Sequence, residues 1–288
     1  MPSLEHLKRF WTICLVLVGA LLLFLTFNKS STLAQHLTFP LSFLAILPIA
    51  FLAEYMDSSL GMGYGTTLTP ILLIMGYTPL QTVPAVLLSE FISGTSAGLL
   101  HHRLGNVDLS NGTRANRTMW LLAVCSVVGT VAAVVLAVKL PPGLVKAYIG
   151  IMILGIGVFI LLGRCFAGSF SWNKIIGLGT VAAFNKGISG GGYGPLVTGG
   201  QILIGVPEKN AVGITSLAEG LVCLVGLGLY ITMQGNLFWG LALPLTVGAF
   251  LSVPAATVTV KVLPDQLLRR SIGYATVFLG ILSIANLF

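Results

Sequence analysis

Long apolar runs, separated by short polar stretches, cover almost the whole chain. A helix needs roughly 20 apolar residues to cross ~30 Å of hydrocarbon, and in lipid its backbone groups are hydrogen-bonded within the segment or by protein neighbours. The pattern therefore predicts an all-α, polytopic helical membrane protein. The runs that predict its helices lie at residues 10–27, 40–56, 61–77, 79–101, 119–139, 143–163, 173–188, 190–206, 209–232, 237–260 and 270–287.

The chain contains a second, divergent copy of part of itself. The first copy begins GMGYGTTLTPILLIMG at Gly61 and the second GGGYGPLVTGGQILIG at Gly190, an offset of 190 − 61 = 129. Matching glycine-interrupted apolar segments in two halves are typical of secondary transporters and point to the binding site. Without a gap, the same offset aligns Tyr64 with Tyr193, Gly65 with Gly194 and Glu90 with Glu219.

The repeat also predicts how the two halves are oriented. Runs 40–56 and 61–77 are short, as are their partners, so each pair either crosses the membrane twice or forms a re-entrant hairpin. Each repeat then has an odd number of crossings, which gives the second copy the opposite orientation. The predicted organisation is an N-terminal transmembrane helix outside the repeat, over 1–36, followed by inverted-topology repeats with broken or re-entrant helices over 37–165 and 166–288.

Composition agrees with a membrane location, and charge predicts the topology. Of 288 residues, 56% are hydrophobic and 8% charged, whereas soluble domains have about a quarter charged residues. Basic residues favour the cytoplasmic side, so the net charge of +7 is a topological bias and no nucleic-acid partner is expected. With the N-terminus inside, only Lys29, Lys139 and Lys146 lie outside; the cytoplasmic ends have Lys8, Arg9, Arg103, Arg114, Arg117, Arg164, Lys174, Lys209, Lys261, Arg269 and Arg270.

The N-terminal segment is interpreted as a retained helix. Lys8 and Arg9 followed by an apolar stretch also resemble a signal peptide. The stretch of about 18 residues is, however, longer than the ~7–15 residues of a signal-peptide core. The expected location is the bacterial inner membrane, with the N-terminus in the cytoplasm and the lipid bilayer as surroundings. A homodimer is compatible with the sequence.

The two glycine loops are the first candidate binding elements. Glycines let the backbone approach a ligand and turn several N–H groups toward an anion, and the helix that each loop opens adds a positive dipole end. Tight helix packing is the alternative explanation of such glycines. The predicted substrate-binding residues are Ser59, Gly61, Gly63, Tyr64, Gly65, Asn185, Lys186, Ser189, Gly190, Gly191, Gly192, Tyr193 and Gly194.

Ionisable residues within the apolar runs are the second candidates. Glu90 and Glu219 occupy equivalent places in two helices, and a charge at the bilayer centre is costly enough that it should face a cavity or a partner. They are predicted to couple transport to protons, together with Asp57; acceptance of hydrogen bonds from a glycine loop is the structural alternative. Asp57 and Lys186 are also equivalent (186 − 57 = 129). Lys186 either attracts an anionic substrate or pairs with Asp57.

Enzymatic motifs are not found, so no catalytic role, metal or cofactor is predicted. The adjacent His101 and His102 lack the i, i+4 spacing of a helical metal site and are expected at a helix end near the membrane interface. The four cysteines show no paired spacing, which favours apolar packing. Cys223, one turn after Glu219, is the only one expected to face a site.

The glycine motifs resemble those of the sulfite exporter TauE/SafE family, also grouped as TSUP permeases. The resemblance covers nearly all of 40–287 and rests on Gly61–Gly76 and on the run from Ser189 to Pro195. It implies inverted halves and transport of sulfite, a related sulfur oxyanion or an organosulfonate. The prediction is a secondary transporter that exports a small anion by alternating access with proton coupling. The alternatives are an anion channel, or a membrane partner that hands a sulfur compound to an enzyme through Cys223.

Overall fold

The computed structural model describes residues 41–162 and 170–260, together with four positions between 274 and 281. The regular structure of these residues is entirely helical, which confirms the all-α prediction for them. The predicted N-terminal helix and most of run 270–287 lie outside the described residues. The helices are α1 (Leu41–Leu60), α2 (Tyr64–Ile74), α3 (Pro79–Arg103), α4 (Arg114–Lys139), α5 (Pro142–Leu162), α6 (Trp172–Ser189), α7 (Tyr193–Leu203), α8 (Glu208–Gln234) and α9 (Trp239–Thr259).

Both glycine motifs interrupt helices, and they do so at equivalent positions. α1 ends where Gly61 has φ +68°, and α6 ends where Gly190 has φ +72°. These left-handed conformations are strained for residues with a side chain. The helices that follow, α2 and α7, have 11 residues each and begin and end 129 positions apart (193 − 64 and 203 − 74). Each rises about 16 Å, which is too short to cross the bilayer alone.

The longer helices have the length and composition of membrane spans. Among the described helices, α3, α4, α8 and α9 are long and apolar enough to cross a bilayer. Large apolar side chains on α4 are exposed on the outside of the bundle: Trp120, Val124, Val128 and Leu136. Such a contiguous apolar surface is unusual for a soluble monomer. It fits a helix that contacts lipid.

The two halves pack against each other through equivalent helices. α4 packs on α6, and its counterpart α9 packs on α1, the counterpart of α6. α3 and α8, which are themselves equivalent, pack against each other. Each half therefore offers the same elements to the other, as in the isologous interface of a two-fold dimer.

α3 and α8 approach closely along small residues and run in opposite directions. A Cβ on Gly220 would meet Thr95 Oγ1 at 2.6 Å, one on Gly98 would meet the Leu217 Cβ, and one on Gly213 would meet the Cβ of His101 at 3.2 Å. Along this series of contacts the residue numbers rise on α3 and fall on α8, so the two helices run antiparallel. Small residues at the contact let two helix backbones approach in this way.

Candidate functional site

The two glycine loops meet in the protein interior. A Cβ atom on Gly65 would overlap the carbonyl oxygen of Gly190, and one on Gly194 would lie 2.6 Å from the carbonyl oxygen of Gly61. The contact is reciprocal, since Gly65 and Gly194 are equivalent and so are Gly61 and Gly190. Gly65 and Gly194 are therefore required to be glycine, because a side chain at either position would overlap the backbone of the opposite loop.

A carboxylate already caps the short helix of the first half. The backbone N–H of Tyr64, the first residue of α2, donates to Asp57 Oδ1 over 3.3 Å. A carboxylate at this end of a helix is favoured by the unpaired N–H groups and by the helix dipole. The equivalent of Asp57 in the second half is Lys186. At the position where the first half has an anion, the second half therefore has a lysine.

Lys186 is held by two glutamates from equivalent positions. Its Nζ donates to Glu90 Oε2 on α3 and, over 2.7 Å, to Glu219 Oε1 on α8. The exposed fractions are 1% for Lys186, 2% for Glu90 and 4% for Glu219. Removal of one member of such a buried pair is strongly destabilising because it leaves an uncompensated charge. Lys186 therefore pairs with the two predicted coupling residues rather than with Asp57.

The buried acidic residues outnumber the single lysine. Asp57, Glu90 and Glu219 offer carboxylate oxygens within 4.8 Å of one another. Glu54, one turn before Asp57 on α1, is fully buried as well. These four are half of the 8 acidic residues in the whole chain. Lys186 is the basic residue that the described contacts place among them.

Glu54 heads a hydrogen-bonded network that the sequence analysis did not predict. Its carboxylate accepts hydrogen bonds from Ser58 Oγ at 2.6 Å and from Ser93 Oγ at 2.9 Å. The Ser58 carbonyl oxygen lies 2.9 Å from His101 Nε2. A carbonyl only accepts, so this nitrogen holds a hydrogen. His101 is at the end of α3 as expected, but its side chain is fully buried.

Comparison with known proteins assigns the chain to a family. The profile of the sulfite exporter TauE/SafE family matches residues 45–283. The chain belongs to the sulfite exporter TauE/SafE family. It is therefore a membrane transporter, which confirms the family resemblance found in its glycine motifs.

Two curated relatives agree with membership of the TauE/SafE family. The chain is 26% identical over 252 residues to the probable membrane transporter protein YtnM of Bacillus subtilis, covering 83% of this chain and 81% of the relative. It is 32% identical over 127 residues to the probable membrane transporter protein ORF9 of a Sinorhizobium species, covering 44% of each chain. No solved structure matches the chain significantly.

Several polar side chains that the sequence assigned to the TauE/SafE site have partners within the protein. Asn185 Oδ1 accepts a hydrogen bond from the hydroxyl of Tyr148. Ser189 Oγ accepts one from the N–H of Gly191 over 3.0 Å, within the second glycine loop. Ser59 Oγ donates to the Met56 carbonyl at 3.2 Å. Of the three, only Ser189 forms a hydrogen bond within a glycine loop.

The two loop tyrosines are fully buried and point toward polar groups of neighbouring helices. The Tyr64 hydroxyl is hydrogen-bonded to Ser89 Oγ on α3, and the Tyr193 hydroxyl lies 3.3 Å from Ser126 Oγ on α4. Cys223 Sγ lies 3.9 Å from Glu90 Oε2, so it does face the charged cluster as expected.

A pocket lies beside the first glycine loop, between it and the start of α8. Ser59 and Met62 contribute the loop side of this pocket, and Lys209 contributes a basic side chain from the first turn of α8. Lys209 is one of the residues predicted on the cytoplasmic side. The pocket is lined by Ser59, Leu60, Met62, Ile202, Glu208, Lys209, Val212 and Val260.

Proposed function

We propose that the protein is a secondary active transporter that moves a small anion across the bacterial inner membrane by alternating access. Two inverted repeats form the transport unit, the N-terminus is cytoplasmic, and transport is coupled to protons. Sulfite is the leading substrate, with related sulfur oxyanions and organosulfonates next, because the family to which the chain belongs is described by sulfite export. The observation that carries the proposal is the position of Lys186 between Glu90 and Glu219.

The directions of the central helices support inversion of the repeats. α3 and α8 are equivalent in sequence, and the contacts of Gly98, Gly213 and Gly220 order their residues in opposite directions. Equivalent helices related by a two-fold axis run antiparallel when the axis is perpendicular to them. For helices that cross the bilayer, such an axis lies in the membrane plane.

The second half offers the better place for an anion. In the first half, Asp57 already fills the position at the start of α2. In the second half, Lys186 replaces that carboxylate, and the loop from Gly190 to Tyr193 leads into the start of α7. An ammonium group, loop N–H groups and a helix N-terminus then act on the same anion.

Proton coupling follows from competition for Lys186. With Glu90 and Glu219 ionised, the ammonium group is neutralised and an anion gains little from it. Protonation of either glutamate weakens its pair with Lys186 and lets a substrate anion take its place. Proton and anion then bind together, and the gradients of both set the direction of transport.

Alternating access is favoured over a channel by the packing of the loops. Backbone atoms of Gly65 and Gly190 are in direct contact, and so are those of Gly194 and Gly61. An anion has no room between them in this conformation. The loops must therefore separate before substrate binds, which is the behaviour of a transporter that changes state in each cycle.

The proposal is tested by flux into proteoliposomes, using radiolabelled sulfite with and without an imposed pH gradient. We expect saturable flux that depends on the gradient and is inhibited by sulfur oxyanions. Glu90→Gln with Glu219→Gln should keep sulfite binding but lose its pH dependence, since Lys186 is then permanently available. Adding Lys186→Met to this double variant should abolish sulfite binding. The three replaced residues then have no charge, so none is left unpaired.

Lys139→Met provides the control for loss of a lysine. Lys139 ends α4 and is exposed, so this variant should transport like the wild type. Flux that rises linearly with sulfite concentration and ignores pH would instead indicate a channel. Unchanged sulfite affinity in the triple variant would remove Lys186 from the substrate site.

A further inference from the structure

We propose that Glu54 is the carboxyl group that carries the proton between the two sides of the membrane. The inference rests on the proposed proton-coupled transport and adds a residue to it. Glu90 and Glu219 control access to Lys186, whereas Glu54 holds a proton in a place that no basic side chain neutralises.

The surroundings of Glu54 are polar but uncharged. Both carboxylate oxygens are engaged, one by Ser58 Oγ and one by Ser93 Oγ, and the side chain is fully buried. In the described part of the chain neither oxygen takes part in an ion pair. A serine hydroxyl donates to a carboxylate and equally accepts from a carboxylic acid. Glu54 can therefore gain or lose a proton while both serines keep their places.

The net charge of the buried ionisable side chains indicates that some of the carboxyl groups are protonated. Glu54, Asp57, Glu90 and Glu219 against Lys186 give 1 − 4 = −3 if every group is ionised. Burying uncompensated charge costs several kcal/mol for each ion, so some of these carboxyl groups must hold protons. Glu90 and Glu219 are stabilised as anions by Lys186, and Asp57 by the N-terminus of α2. Glu54 has only the two hydroxyl groups.

The helices around Glu54 bring mainly acidic side chains close to it. Asp57 lies on the same helix and Glu219 on α8, and both act on it electrostatically. The Tyr64 hydroxyl group on α2 also interacts with it electrostatically. On α3, Glu90 lies one turn before the donor Ser93, and His101 donates to the Ser58 carbonyl. The fourth neighbour, α9, has no ionisable side chain over Trp239–Thr259. A proton on Glu54 is therefore sensitive to the ionisation of the residues that bind Lys186.

The Glu54 set belongs to one half only. At the offset of 129, Glu54 corresponds to Ala183, Ser58 to Gly187 and Ser93 to Val222. The glycine loops and the Glu90–Glu219 pair, in contrast, occur in both halves. The repeated architecture is thus built without this carboxyl group in the second half. Its presence in the first half is better explained by a proton-carrying role than by a requirement of the fold.

A buried hydrogen-bonded network fixes the position of Ser58, one of the two donors to Glu54. His101 donates to the Ser58 carbonyl, and its Nδ1 accepts from Asn106 Nδ2 at 2.9 Å in the segment between α3 and α4. Asn106 also donates to the Thr257 carbonyl at 3.1 Å, on α9. Ser58, on α1, is thereby fixed relative to two other helices, α3 and α9. His101 and Asn106 are positioning residues that keep a hydroxyl beside Glu54.

Glu54→Gln tests the assignment, because glutamine keeps the size and both hydrogen bonds but cannot titrate. We expect exchange of labelled for unlabelled sulfite across proteoliposomes at close to the wild-type rate. Net sulfite flux driven by a pH gradient should be lost. Asp108→Asn is the matched control, since this exposed carboxyl group lies in a loop where hydrogen bonds from Ser110 lower its pKa. It should leave both measurements unchanged.

The outcomes separate this inference from the proposed function. If wild-type protein shows no pH-dependent sulfite flux, the proposed function fails. If the wild type shows it and Glu54→Gln keeps it, only the role of Glu54 is overturned. For a variant that does not fold, a carbodiimide that modifies protonated carboxyl groups is applied to the wild type. Modification of Glu54 should decrease as pH rises; no modification even at acidic pH would overturn the inference.

Discussion

Hydrogen-bond direction is fixed at Thr198 because one of its partners can only accept. Thr198 Oγ1 lies 2.7 Å from the Gly61 carbonyl oxygen and 2.9 Å from Thr215 Oγ1. The carbonyl takes the single hydroxyl proton of Thr198, so Thr215 donates to Thr198. Gln201 Nε2 in turn donates to Thr215 over 2.9 Å. Three side chains of α7 and α8 thereby hold the first glycine loop.

We expect Thr198→Val to destabilise the protein by about 1–3 kcal/mol, because the buried Gly61 carbonyl loses its donor. The equivalent residue, Thr69 (198 − 129 = 69), is an internal control. It is fully buried, and its hydroxyl has no hydrogen-bond partner among the described residues. Thr69→Val should therefore change the free energy of unfolding by about 1 kcal/mol or less. Thermal unfolding in detergent measures both; equal losses would contradict the assignment.

The sequence could identify the repeated residues but not the partner of Lys186. The offset of 129 pairs Lys186 with Asp57, and this pairing identifies symmetry mates. Residues in contact are a different set, because side chains near a two-fold axis reach across it to other helices. Lys186 contacts Glu90 and Glu219, which converge where α3 and α8 cross. Glu54 was missed for a related reason: its counterpart is Ala183, so a search for repeated residues passes over it.

At the scale of elements, the glycine loops depend on direct backbone contact. We expect Gly65→Ala to cost about 1–3 kcal/mol or more by overpacking, since the new methyl group meets backbone that has no rotamer to change. Gly194→Ala should behave alike at the reciprocal contact. Sulfite flux and thermal unfolding are both measured for each variant.

Gly177→Ala is the control for these glycine substitutions. Gly177 lies within α6, and a Cβ there would have no neighbour within 4 Å. Replacement of a helical glycine by alanine at an open position is stabilising by up to about 1 kcal/mol. If Gly65→Ala were as stable as Gly177→Ala, the loops would not be in backbone contact in the membrane.

The apolar pattern predicts which helices exist better than where they begin. The breaks at Gly61–Gly63 and Gly190–Gly192 follow from the sequence, because glycine clusters there interrupt apolar runs. The run at 119–139, however, misses the start of α4 at Arg114. Thr113 caps that helix by accepting from the N–H of Asn116 over 3.2 Å. The first turn is polar, so hydrophobicity alone passes over it.

At the scale of the whole molecule, the two halves share a frame and differ in charge. The glycine loops, the short helices and the paired glutamates recur at one offset. Asp57 and Glu54 in the first half correspond to Lys186 and Ala183 in the second. In the proposed transport cycle the two glycine loops separate and rejoin, and the charge difference favours binding of the anion in the second half. The repeat therefore predicts the fold, whereas the proposed substrate binding and proton transfer depend on residues that differ between the two halves.

Inversion of the repeats makes a prediction about the sides of the membrane. Ser110, between α3 and α4, and Asn236, between α8 and α9, are exposed residues in equivalent connections. In inverted repeats these connections lie on opposite sides. The positive-inside rule predicts that the first connection lies in the cytoplasm. We expect Ser110→Cys to react with an impermeant maleimide only in inside-out vesicles and Asn236→Cys only in intact cells. The background lacks the native cysteines: Cys14, Cys125, Cys165 and Cys223.

The labelling pattern discriminates between arrangements that share every contact within one half. Parallel repeats, related by an axis along the membrane normal, would place Ser110 and Asn236 on the same side. Both cysteines would then react in the same vesicle preparation. The antiparallel contacts of Gly98, Gly213 and Gly220 could not form between membrane-spanning α3 and α8 in that arrangement. Labelling on one side would therefore contradict the inverted repeat and the helix contacts together, while sulfite flux by each variant verifies that the labelled protein is assembled.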